Sequence, residues 1–323
     1  MKDIIIVGTS KAGFLHFKSY NNLSNVGKIF LADVKENVTN KNIKVKKIYR
    51  SIKDILLENN LNNKNVVVDI CTPKEEFYNI INQCISLGIN NIIVEKPFIP
   101  YKNFFEQNSE LNILMVQNYL YSQITNEIKE KIRQNKFNIK MIYTNFSKNR
   151  INESLNRRGM SKNDTQNFEI EIPHQIYLVD YILGESSKKE IIFKEQKDFI
   201  FNNICIEKHG YGKLILEYDD KIVIHESVLV TNNTIKEITI VCDGGILIKG
   251  QFILYDKDLN KIKNGKVVIE KYQNIIYEKE FKEDDNMYYC LKEYYEDFNN
   301  TDILGKYRDR ILKFSNIFGK IME

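Results

Sequence analysis

The segment EIEIPHQIYLVDYILG, residues 169–184, carries two glutamates, a proline and a histidine at the start of a mostly apolar stretch. Glu171 and His174 are three residues apart, so on a helix they would share one face. A histidine can take or give a proton near neutral pH, and a nearby carboxylate can orient it. The spacing therefore indicates either a proton-transfer site or a histidine that only satisfies the start of a helix.

Pro173 restricts where this helix can begin. Proline is tolerated in the first helical turn and disrupts a helix deeper inside. We therefore expect the helix to begin or kink near Glu171. The remaining histidines, His16, His209 and His225, are interpreted as structural.

A second group of residues forms a turn between a short apolar run and a helical pattern near the N-terminus. Gly8 and Gly13 occupy the first and third positions of the GxGxxG fingerprint, and Ser10 occupies the second. In a dinucleotide-binding fold this turn lays the pyrophosphate against the amides of the following helix. The predicted phosphate-binding residues are Gly8, Ser10, Lys11, Ala12 and Gly13.

Asp33 ends the second predicted strand, twenty residues after Gly13. An acid at this position accepts both ribose hydroxyls of NAD and repels the 2′-phosphate of NADP. An ordinary surface aspartate at the end of a strand would look the same. We expect NAD as the cofactor, with NADP as the alternative.

Strands and helices alternate over the first 121 residues. Short apolar runs predict strands at 3–8, 28–34, 65–73, 90–98 and 113–121. Helical patterns separate them, with Ser51 and Gly88 as candidate caps. This order is typical of a parallel sheet with helices on both faces. After residue 189 about seven short strands follow, which predicts an antiparallel sheet, and two helices close the chain.

Composition and charge exclude several classes of protein. The chain has 323 residues, of which 43% are hydrophobic, and a formal net charge of +4. The length indicates two domains, and the charge favours neither nucleic-acid nor membrane binding. No apolar run reaches the roughly 18 residues of a membrane span, and the N-terminus lacks a signal-peptide layout, so we expect a cytoplasmic protein. The five cysteines form no CxxC pair, which indicates neither a metal site nor a disulfide framework.

Several short motifs in a fixed order connect the two halves of the chain. They are GTSKAG (8–13), CTP (71–73), VEKPF (94–98), QNYLYS (117–122), HQIYLVDYILG (174–184) and KEITIVCDGGILI (236–248). In this order the motifs resemble the Gfo/Idh/MocA family, which includes glucose–fructose oxidoreductase and inositol dehydrogenase. The resemblance covers the whole chain, including the two closing helices.

The resemblance implies an α/β protein with an N-terminal Rossmann domain, residues 1–121. A second α/β domain, residues 122–323, would carry an open, mostly antiparallel sheet. The implied activity is reversible hydride transfer between NAD(P) and a hydroxyl-bearing carbon of a sugar, cyclitol or nucleotide sugar. Because the open sheet commonly builds a dimer or tetramer in this family, we expect a homo-oligomeric dehydrogenase or ketoreductase.

The resemblance also implies roles for individual residues. Lys96 would lie beside the nicotinamide and the reacting oxygen, where its ammonium stabilises a developing alkoxide. Glu95 and Pro97 would shape the cofactor site, and Pro97 commonly follows a cis peptide bond. The other candidate dinucleotide-binding residues are Gly8, Ser10, Lys11, Ala12, Gly13, Asp33, Cys71, Thr72 and Pro73. The candidates for lining the sugar pocket are Asn118, Tyr119 and Tyr121.

The segment around the histidine departs from the family pattern. Relatives carry an aspartate four residues before the catalytic histidine, where this chain has Ile170. Glu171, reached by a shifted helix start, is the first candidate for supporting His174, and Glu169 is the competitor. Catalysis by Lys96 and His174 without a carboxylate is a further alternative. We expect Lys96 and His174 to face the same substrate oxygen from opposite domains.

A basic segment, 148–167, leads into this helix. It includes Arg157 and Arg158, and arginine suits bidentate contacts with the diphosphate of a nucleotide sugar; a solvated loop would have the same composition. Two other functions stay open at this point: an NAD-retaining glycosidase of the same fold, and a cofactor-sensing regulator without turnover. The presence of both Lys96 and His174 argues against the regulator.

Overall fold

The structure is a computed structural model that describes six ranges of the chain. These are 1–34, 47–151, 166–184, 189–256, 260–298 and 300–323. The chain divides into two units, of which the first consists of Met1–Asn118 and Met287–Asn316, and the second of Tyr119–Asn286 and Ile317–Glu323. The sequence-based boundary was placed after residue 121. Residues 287–316, which the sequence analysis assigned to the second domain, group with the first unit.

A six-stranded parallel sheet forms the centre of the first unit. Its strands are β1 (Asp3–Val7), β2 (Ile29–Ala32), β3 (Ile48–Tyr49), β4 (Val66–Ile70), β5 (Asn91–Val94) and β6 (Asn112–Met115). They are ordered β3-β2-β1-β4-β5-β6, and every neighbouring pair is parallel. All residues of β4 and β5 are buried, as in strands that are covered on both faces. The strand order is that of a doubly wound dinucleotide-binding fold, so the predicted α/β class is confirmed.

The last strand of this sheet is shorter than the sequence predicts. β6 ends at Met115 because its partner β5 ends at Val94, the residue that pairs with Met115. Residues 118–121, which were predicted as a continuation of the strand, form a 3-10 turn instead. The turn places Tyr119 in a buried position.

The helices of the first unit connect and flank these strands. They are α1 (Lys11–Asn21), α2 (Ile52–Asn59), α3 (Phe77–Ser86), α4 (Phe104–Gln107), α8 (Asn286–Asp297) and the greater part of α9 (Thr301–Met322). The predicted cap Ser51 is confirmed, since its side chain accepts from the Asp54 amide at 3.1 Å. Tyr294 of α8 is fully buried and donates to the Met115 carbonyl at 2.7 Å, which fixes α8 against the end of β6.

The second unit is built on an eight-stranded sheet. Its strands are β7 (Ile139–Ser147), β8 (Lys189–Phe201), β9 (Ile204–Tyr218), β10 (Lys221–Val228), β11 (Ile235–Cys242), β12 (Ile246–Gln251), β15 (Gly265–Lys271) and β16 (Asn274–Phe281). The order is β16-β15-β12-β11-β7-β10-β9-β8. The β7–β10 pair is parallel and the other pairs are antiparallel. A separate two-stranded sheet contains β13 (Leu254–Tyr255) and β14 (Lys261–Lys263).

One detail of this sheet differs from the sequence-based expectation. Two predicted strands form the single strand β9, because Gly210 and Gly212 lie within the strand and not at a break. A Cβ on Gly212 would come within 2.4 Å of Asn167 Oδ1, and one on Gly210 within 2.8 Å of the Asp198 carbonyl oxygen. These glycines therefore permit close packing within one strand. In the sequence, a glycine can equally indicate the end of a strand, so two strands were predicted here.

The helices described in the second unit are α5 (Gln123–Asn135), α6 (Asn167–Ile170) and α7 (Ile172–Leu183), together with the end of α9. Glu171 separates α6 from α7, and Pro173 is the second residue of α7. The predicted interruption near Glu171 is therefore confirmed. Among the helices of the described ranges, none combines the length and the apolarity needed to cross a bilayer.

The outermost strands of the second sheet carry exposed apolar side chains. Ile192 and Ile200 of β8 are 54% and 70% exposed, and Ile275 and Ile276 of β16 are 60% and 54% exposed. Exposed apolar side chains on edge strands are typical of association surfaces. We predict a homo-oligomer, with a dimer as the simplest form, when the protein is measured by light scattering at micromolar concentration.

A charge placed on β8 should weaken that assembly. Ile200→Glu is expected to shift the protein toward the monomer, whereas Leu57→Glu is not. Leu57 lies in the first unit and is also 70% exposed, so it controls for the general effect of adding a surface charge. A monomeric unmodified protein would contradict the prediction.

Candidate functional site

The carboxyl edge of the first sheet brings together most of the predicted cofactor residues. Hydrogen bonds between neighbouring strands continue just past the strand ends: the Cys71 amide donates to the Val7 carbonyl at 2.8 Å, and the Glu95 amide donates to the Ile70 carbonyl at 3.0 Å. The turns that begin at Gly8, Cys71 and Glu95 therefore start side by side. In open parallel sheets ligands bind at this edge.

The turn after β1 is compact because two glycines allow close contacts. Gly8 has a φ of +96°, and a Cβ there would lie 2.8 Å from the Cys71 carbonyl oxygen. A Cβ on Gly13 would lie 1.9 Å from the Gly8 carbonyl oxygen. Ser10 is the N-cap of α1, but its hydroxyl makes no capping bond. The N-terminal turn of α1, with Lys11 and Ala12, thus has the form that receives a phosphate.

Asp33 lies beside this turn. Its Oδ2 accepts hydrogen bonds from the Thr9 amide at 2.9 Å and from the Thr9 hydroxyl at 2.7 Å. Thr9 itself is 1% exposed. The carboxylate at the end of β2 is therefore held against the phosphate-type turn, which is where the sequence placed a ribose-binding acid.

The turn after β5 carries the Glu-Lys-Pro motif. The Lys96–Pro97 peptide bond is cis, as the resemblance implied. The Lys96 amide donates to Oε2 of the preceding residue, Glu95, at 3.2 Å. On the adjacent turn, the buried Thr72 hydroxyl oxygen has no hydrogen-bond partner among the described residues, and Pro73 is exposed. An unsatisfied buried hydroxyl and a glycine-lined turn at one sheet edge fit a dinucleotide.

In the second unit, Glu171 is the centre of a buried ion cluster. It is 1% exposed, and its Oε1 lies 2.9 Å from Arg150 Nη2 and 3.3 Å from Lys148 Nζ. Burial alone would raise the pKa of Glu171, but the positive charges of Lys148 and Arg150 outweigh it and hold this pKa well below its usual range. The carboxylate is therefore ionised, and its bonding partners come from the residues at and after the end of β7.

His174 lies in the first turn of α7 and is partly exposed. Its Nδ1 contacts the Tyr177 hydroxyl at hydrogen-bond distance, and its ring meets the Tyr119 ring edge-on, with centroids 5.2 Å apart. The His174 amide donates to the Glu171 carbonyl at 3.2 Å. Glu171 thus fixes the backbone of the histidine while its carboxylate bonds Arg150. Support of His174 by the Glu171 or the Glu169 carboxylate stays a prediction.

Tyr119 has a partner that the sequence analysis did not identify. Its hydroxyl accepts a hydrogen bond from Lys236 Nζ of β11, and the same ammonium lies 5.8 Å from the centre of the Phe146 ring. Burial raises the pKa of Tyr119, although Lys236 opposes the shift. Tyr119 therefore stays protonated at neutral pH and can donate or accept a hydrogen bond.

The remaining predicted substrate residues are less closely grouped. Asn118 and Tyr121 are partly exposed; they are the first and last residues of the 3-10 turn that contains the buried Tyr119. Arg157 and Arg158 lie outside the described residues. Tyr177 could have been found from the sequence, since it follows His174 by three residues, the same spacing that joins Glu171 to His174. Nothing in the local sequence pairs Lys236 with Tyr119.

Comparisons with known proteins agree on the fold. No family profile matches the chain, and no curated protein is significantly similar to it in sequence. A 3-ketoreductase from Actinomadura kijaniata, solved with NADP and TDP-benzene, is similar with a TM-score of 0.81 at 8% identity, over 99% of this chain and 97% of that one. At this identity the similarity establishes the architecture.

Two further solved structures share this architecture. A dehydrogenase from Clostridium difficile has a TM-score of 0.67 at 14% identity, over 99% of this chain and 98% of that chain. A candidate NADPH-dependent oxidoreductase from Desulfitobacterium hafniense has a TM-score of 0.74 at 14% identity, over 99% and 96%. The chain therefore has the two-part fold of these Rossmann-type oxidoreductases along its whole length.

The Glu171 cluster leads to a prediction about stability and pH. Glu171→Gln leaves Arg150 and Lys148 without their common carboxylate, so the free energy of unfolding at pH 7 should fall by about 3–5 kcal/mol. Because the folded pKa of Glu171 is depressed, its contribution is present above its ordinary value of 4.5 and is lost as the pH falls through the folded pKa. The difference between variant and unmodified protein should therefore shrink below pH 4.5.

Urea unfolding at several pH values measures this difference. Glu169→Gln, two residues earlier at a partly exposed position, is the control and should change stability much less. Equal effects of the two substitutions would contradict the structural role given to Glu171.

Proposed function

We propose that the protein is an NAD(P)-dependent oxidoreductase. It would transfer a hydride between the nicotinamide and a hydroxyl or ketone carbon of a sugar, cyclitol or nucleotide sugar. The main observation behind the proposal is that two turns lie at the same edge of the parallel sheet. The glycine turn at Gly8 fits a pyrophosphate, and the cis Lys96–Pro97 turn two strands away supplies an ammonium.

The similar structures support this reaction class. One of those proteins is a 3-ketoreductase solved with NADP and a thymidine diphosphate compound, and another is a dehydrogenase. For this chain they favour an oxidoreductase over a glycosidase or a regulator. The thymidine diphosphate compound bound by the first favours a nucleotide sugar among the proposed substrates.

The dinucleotide, when bound, supplies the hydride acceptor or donor. The protein has to position the substrate carbon, stabilise charge on its oxygen and exchange one proton. The Lys96 ammonium would stabilise the oxygen as it becomes an alkoxide. His174 would take the proton of the substrate hydroxyl during oxidation and return it during reduction.

Neighbouring groups would hold His174 in a defined orientation. The Tyr177 hydroxyl bonds Nδ1, and we assign the proton exchange to the other ring nitrogen, Nε2. Tyr119, held by Lys236, would present a protonated hydroxyl to a sugar. Asn118, Tyr121, Arg157 and Arg158 complete the proposed substrate residues, with the two arginines as partners for a diphosphate.

Removal of either proposed catalytic side chain should abolish most turnover. A positioned acid–base or charge-stabilising group contributes about 10²- to 10⁴-fold in rate, so Lys96→Ala and His174→Ala should each lose turnover on that scale. NADH binding should persist, because neither residue belongs to the phosphate turn. The measurement is a photometric screen of sugars and nucleotide sugars at the reduced-nicotinamide band.

Lys64→Ala is the matched control for the lysine, since Lys64 is exposed and precedes β4 at the opposite edge of the same sheet. It should keep full activity. Near-normal turnover of His174→Ala would show that the histidine is structural. Glycoside hydrolysis without net nicotinamide oxidation or reduction would favour the glycosidase instead.

Asp33 should select NAD over NADP, because its carboxylate would bond the ribose hydroxyls and repel a 2′-phosphate. Asp33→Ala should raise KM for NAD and narrow the preference between the two cofactors, as measured by kcat/KM for each. Thr9→Val is the control: it removes one hydrogen bond to Asp33 but keeps the carboxylate, so the preference should remain. Equal kinetics of the unmodified protein with NAD and NADP would contradict this assignment.

A further inference from the structure

A histidine that the proposed mechanism does not use lies in the interior of the first unit. His16 is on α1, three residues after Gly13, and is 0% exposed. Its Nδ1 lies 2.8 Å from Asp69 Oδ2, and its Nε2 lies 3.1 Å from Glu95 Oε1. Asp69 is also 0% exposed, and the Glu95 side chain is 16% exposed. Each ring nitrogen thus faces its own carboxylate.

This arrangement favours a charged imidazole. A neutral imidazole with its proton on Nδ1 would bond Asp69 but turn a lone pair toward Glu95. The imidazolium instead places positive charge 2.8 Å and 3.1 Å from the two carboxylates, and the Nε2–Oε1 contact is an ion pair without hydrogen-bond geometry. Burial alone lowers the pKa of His16, but the charge of Asp69 outweighs it and the pKa lies well above 6.5. Burial alone would raise the pKa of Glu95, but the neighbouring His16 outweighs it and lowers this pKa.

The neighbouring groups complete the same set of hydrogen bonds. The Tyr20 hydroxyl donates to Asp69 Oδ2 at 2.9 Å, and the Cys71 thiol donates to Asp69 Oδ1 at 3.5 Å. Asp69 therefore receives three donors, counting His16. An ionised carboxylate accepts this number without conflict, so the buried charge of Asp69 is paired and hydrogen-bonded.

The same atoms could be taken for a metal site, since donor atoms of His16, Asp69 and Cys71 lie within 4.8 Å of one another. Cys71 would have to be deprotonated to a thiolate to act as a metal ligand. Burial and the neighbouring Asp69 raise the pKa of this thiol far above its ordinary value. The thiol and the Tyr20 hydroxyl also already donate to Asp69. A hydrogen-bonded imidazolium accounts for these contacts without a metal ion.

The position of His16 connects two parts of the proposed cofactor site. α1 begins at the phosphate-type turn, and Glu95 immediately precedes Lys96. While Glu95 Oε1 faces His16, its Oε2 accepts from the Lys96 amide. We propose that His16 is a positioning residue, a buried imidazolium that ties α1 to Glu95 and thereby fixes the backbone of Lys96. The consequence for turnover rests on the proposed oxidoreductase function; the ionic bridge itself does not.

Several titratable groups face the imidazole or its partners and bear on any pH dependence. They are Tyr20 of α1, Asp69 of β4, Cys71 directly after β4, Glu95 and Lys96 of the turn after β5, and Cys290 of α8. Because the folded pKa of His16 is raised, the stability from its charge is present below 6.5 and is lost as the pH rises through the folded pKa. The bridge should therefore persist above pH 6.5, where an unperturbed imidazole is mostly neutral.

Nuclear magnetic resonance of histidine nitrogens tests the bridge without a substrate. The chain has four histidines, so His16→Gln assigns the His16 signals by their disappearance. We expect His16 to give imidazolium signals at pH 8. His225 is an internal control: it is also 0% exposed, but burial lowers its pKa to about 3, so it should be neutral in the same spectrum.

The amide of Lys96 reports on the positioning. In His16→Gln its chemical shift and its protection from hydrogen exchange should change, whereas His225→Gln should leave both as they are. With a ketone or alcohol substrate, His16→Gln should lower kcat by up to about 100-fold. The dissociation constant for NADH should change by less than about threefold. Glu95→Gln should have a similar effect, and the double variant should lose little more than either single variant.

Three results would overturn the proposal: a neutral His16 at pH 8, a Lys96 amide that is unaffected by His16→Gln, or stoichiometric zinc or another metal in the purified protein. An unmodified protein that binds neither NADH nor NADPH would contradict the proposed function. The nitrogen and amide measurements would still decide the bridge in that case.

Discussion

The close approach of the β1 turn to the end of β4 is the constraint on which the first unit depends. A side chain at Gly8 would meet the Cys71 carbonyl 2.8 Å away, and one at Gly13 would meet the Gly8 carbonyl at 1.9 Å. This packing lets α1 start directly at the sheet edge. It also brings His16, one turn into α1, against Asp69 of β4 and Glu95 after β5. The phosphate turn, the buried charges and the Lys96 turn are consequences of one packing arrangement.

The second unit handles a buried charge in a comparable way. Glu171 lies where α6 gives way to α7, and a carboxylate buried at such a point is tolerated because Arg150 and Lys148 pair with it. Pro173 sets the start of α7 and so the place of His174 on its first turn. Tyr177 and Tyr119 then contact the imidazole from the same helix and from the 3-10 turn. In both units, paired interior charges sit next to a proposed catalytic side chain.

Some of this could be predicted from the sequence because the residue types themselves carry the geometry. Gly8 adopts a positive φ and Pro173 lies at a helix start, and both follow from local stereochemistry. The cis bond before Pro97 was implied by the family resemblance and not by the residue type alone. The buried strands β4 and β5 follow from uninterrupted apolar runs. Strand β16 was not predicted, since most of its residues are exposed and it lacks the alternation that marks a strand.

The contacts between distant residues could not be predicted in this way. His16 and Asp69 are 53 residues apart, and Tyr119 and Lys236 are 117 apart. Their pairing depends on strand order and register, which a local pattern does not encode. The sequence-based interpretation of His16 as structural is therefore incomplete. The residue is buried, and its charge connects elements that only the fold brings together.

Titration of NADH onto the protein is the most direct test of the central claim, that the first unit is a dinucleotide-binding domain. The chain contains no tryptophan, so nicotinamide fluorescence can be followed with little protein background. Our account predicts saturable binding at one site per chain. It also predicts loss of binding in Gly8→Val that remains folded by circular dichroism, because the new side chain would press against the Cys71 carbonyl. Absence of saturable binding of both NADH and NADPH to the folded unmodified protein, or unchanged binding by Gly8→Val, would contradict it.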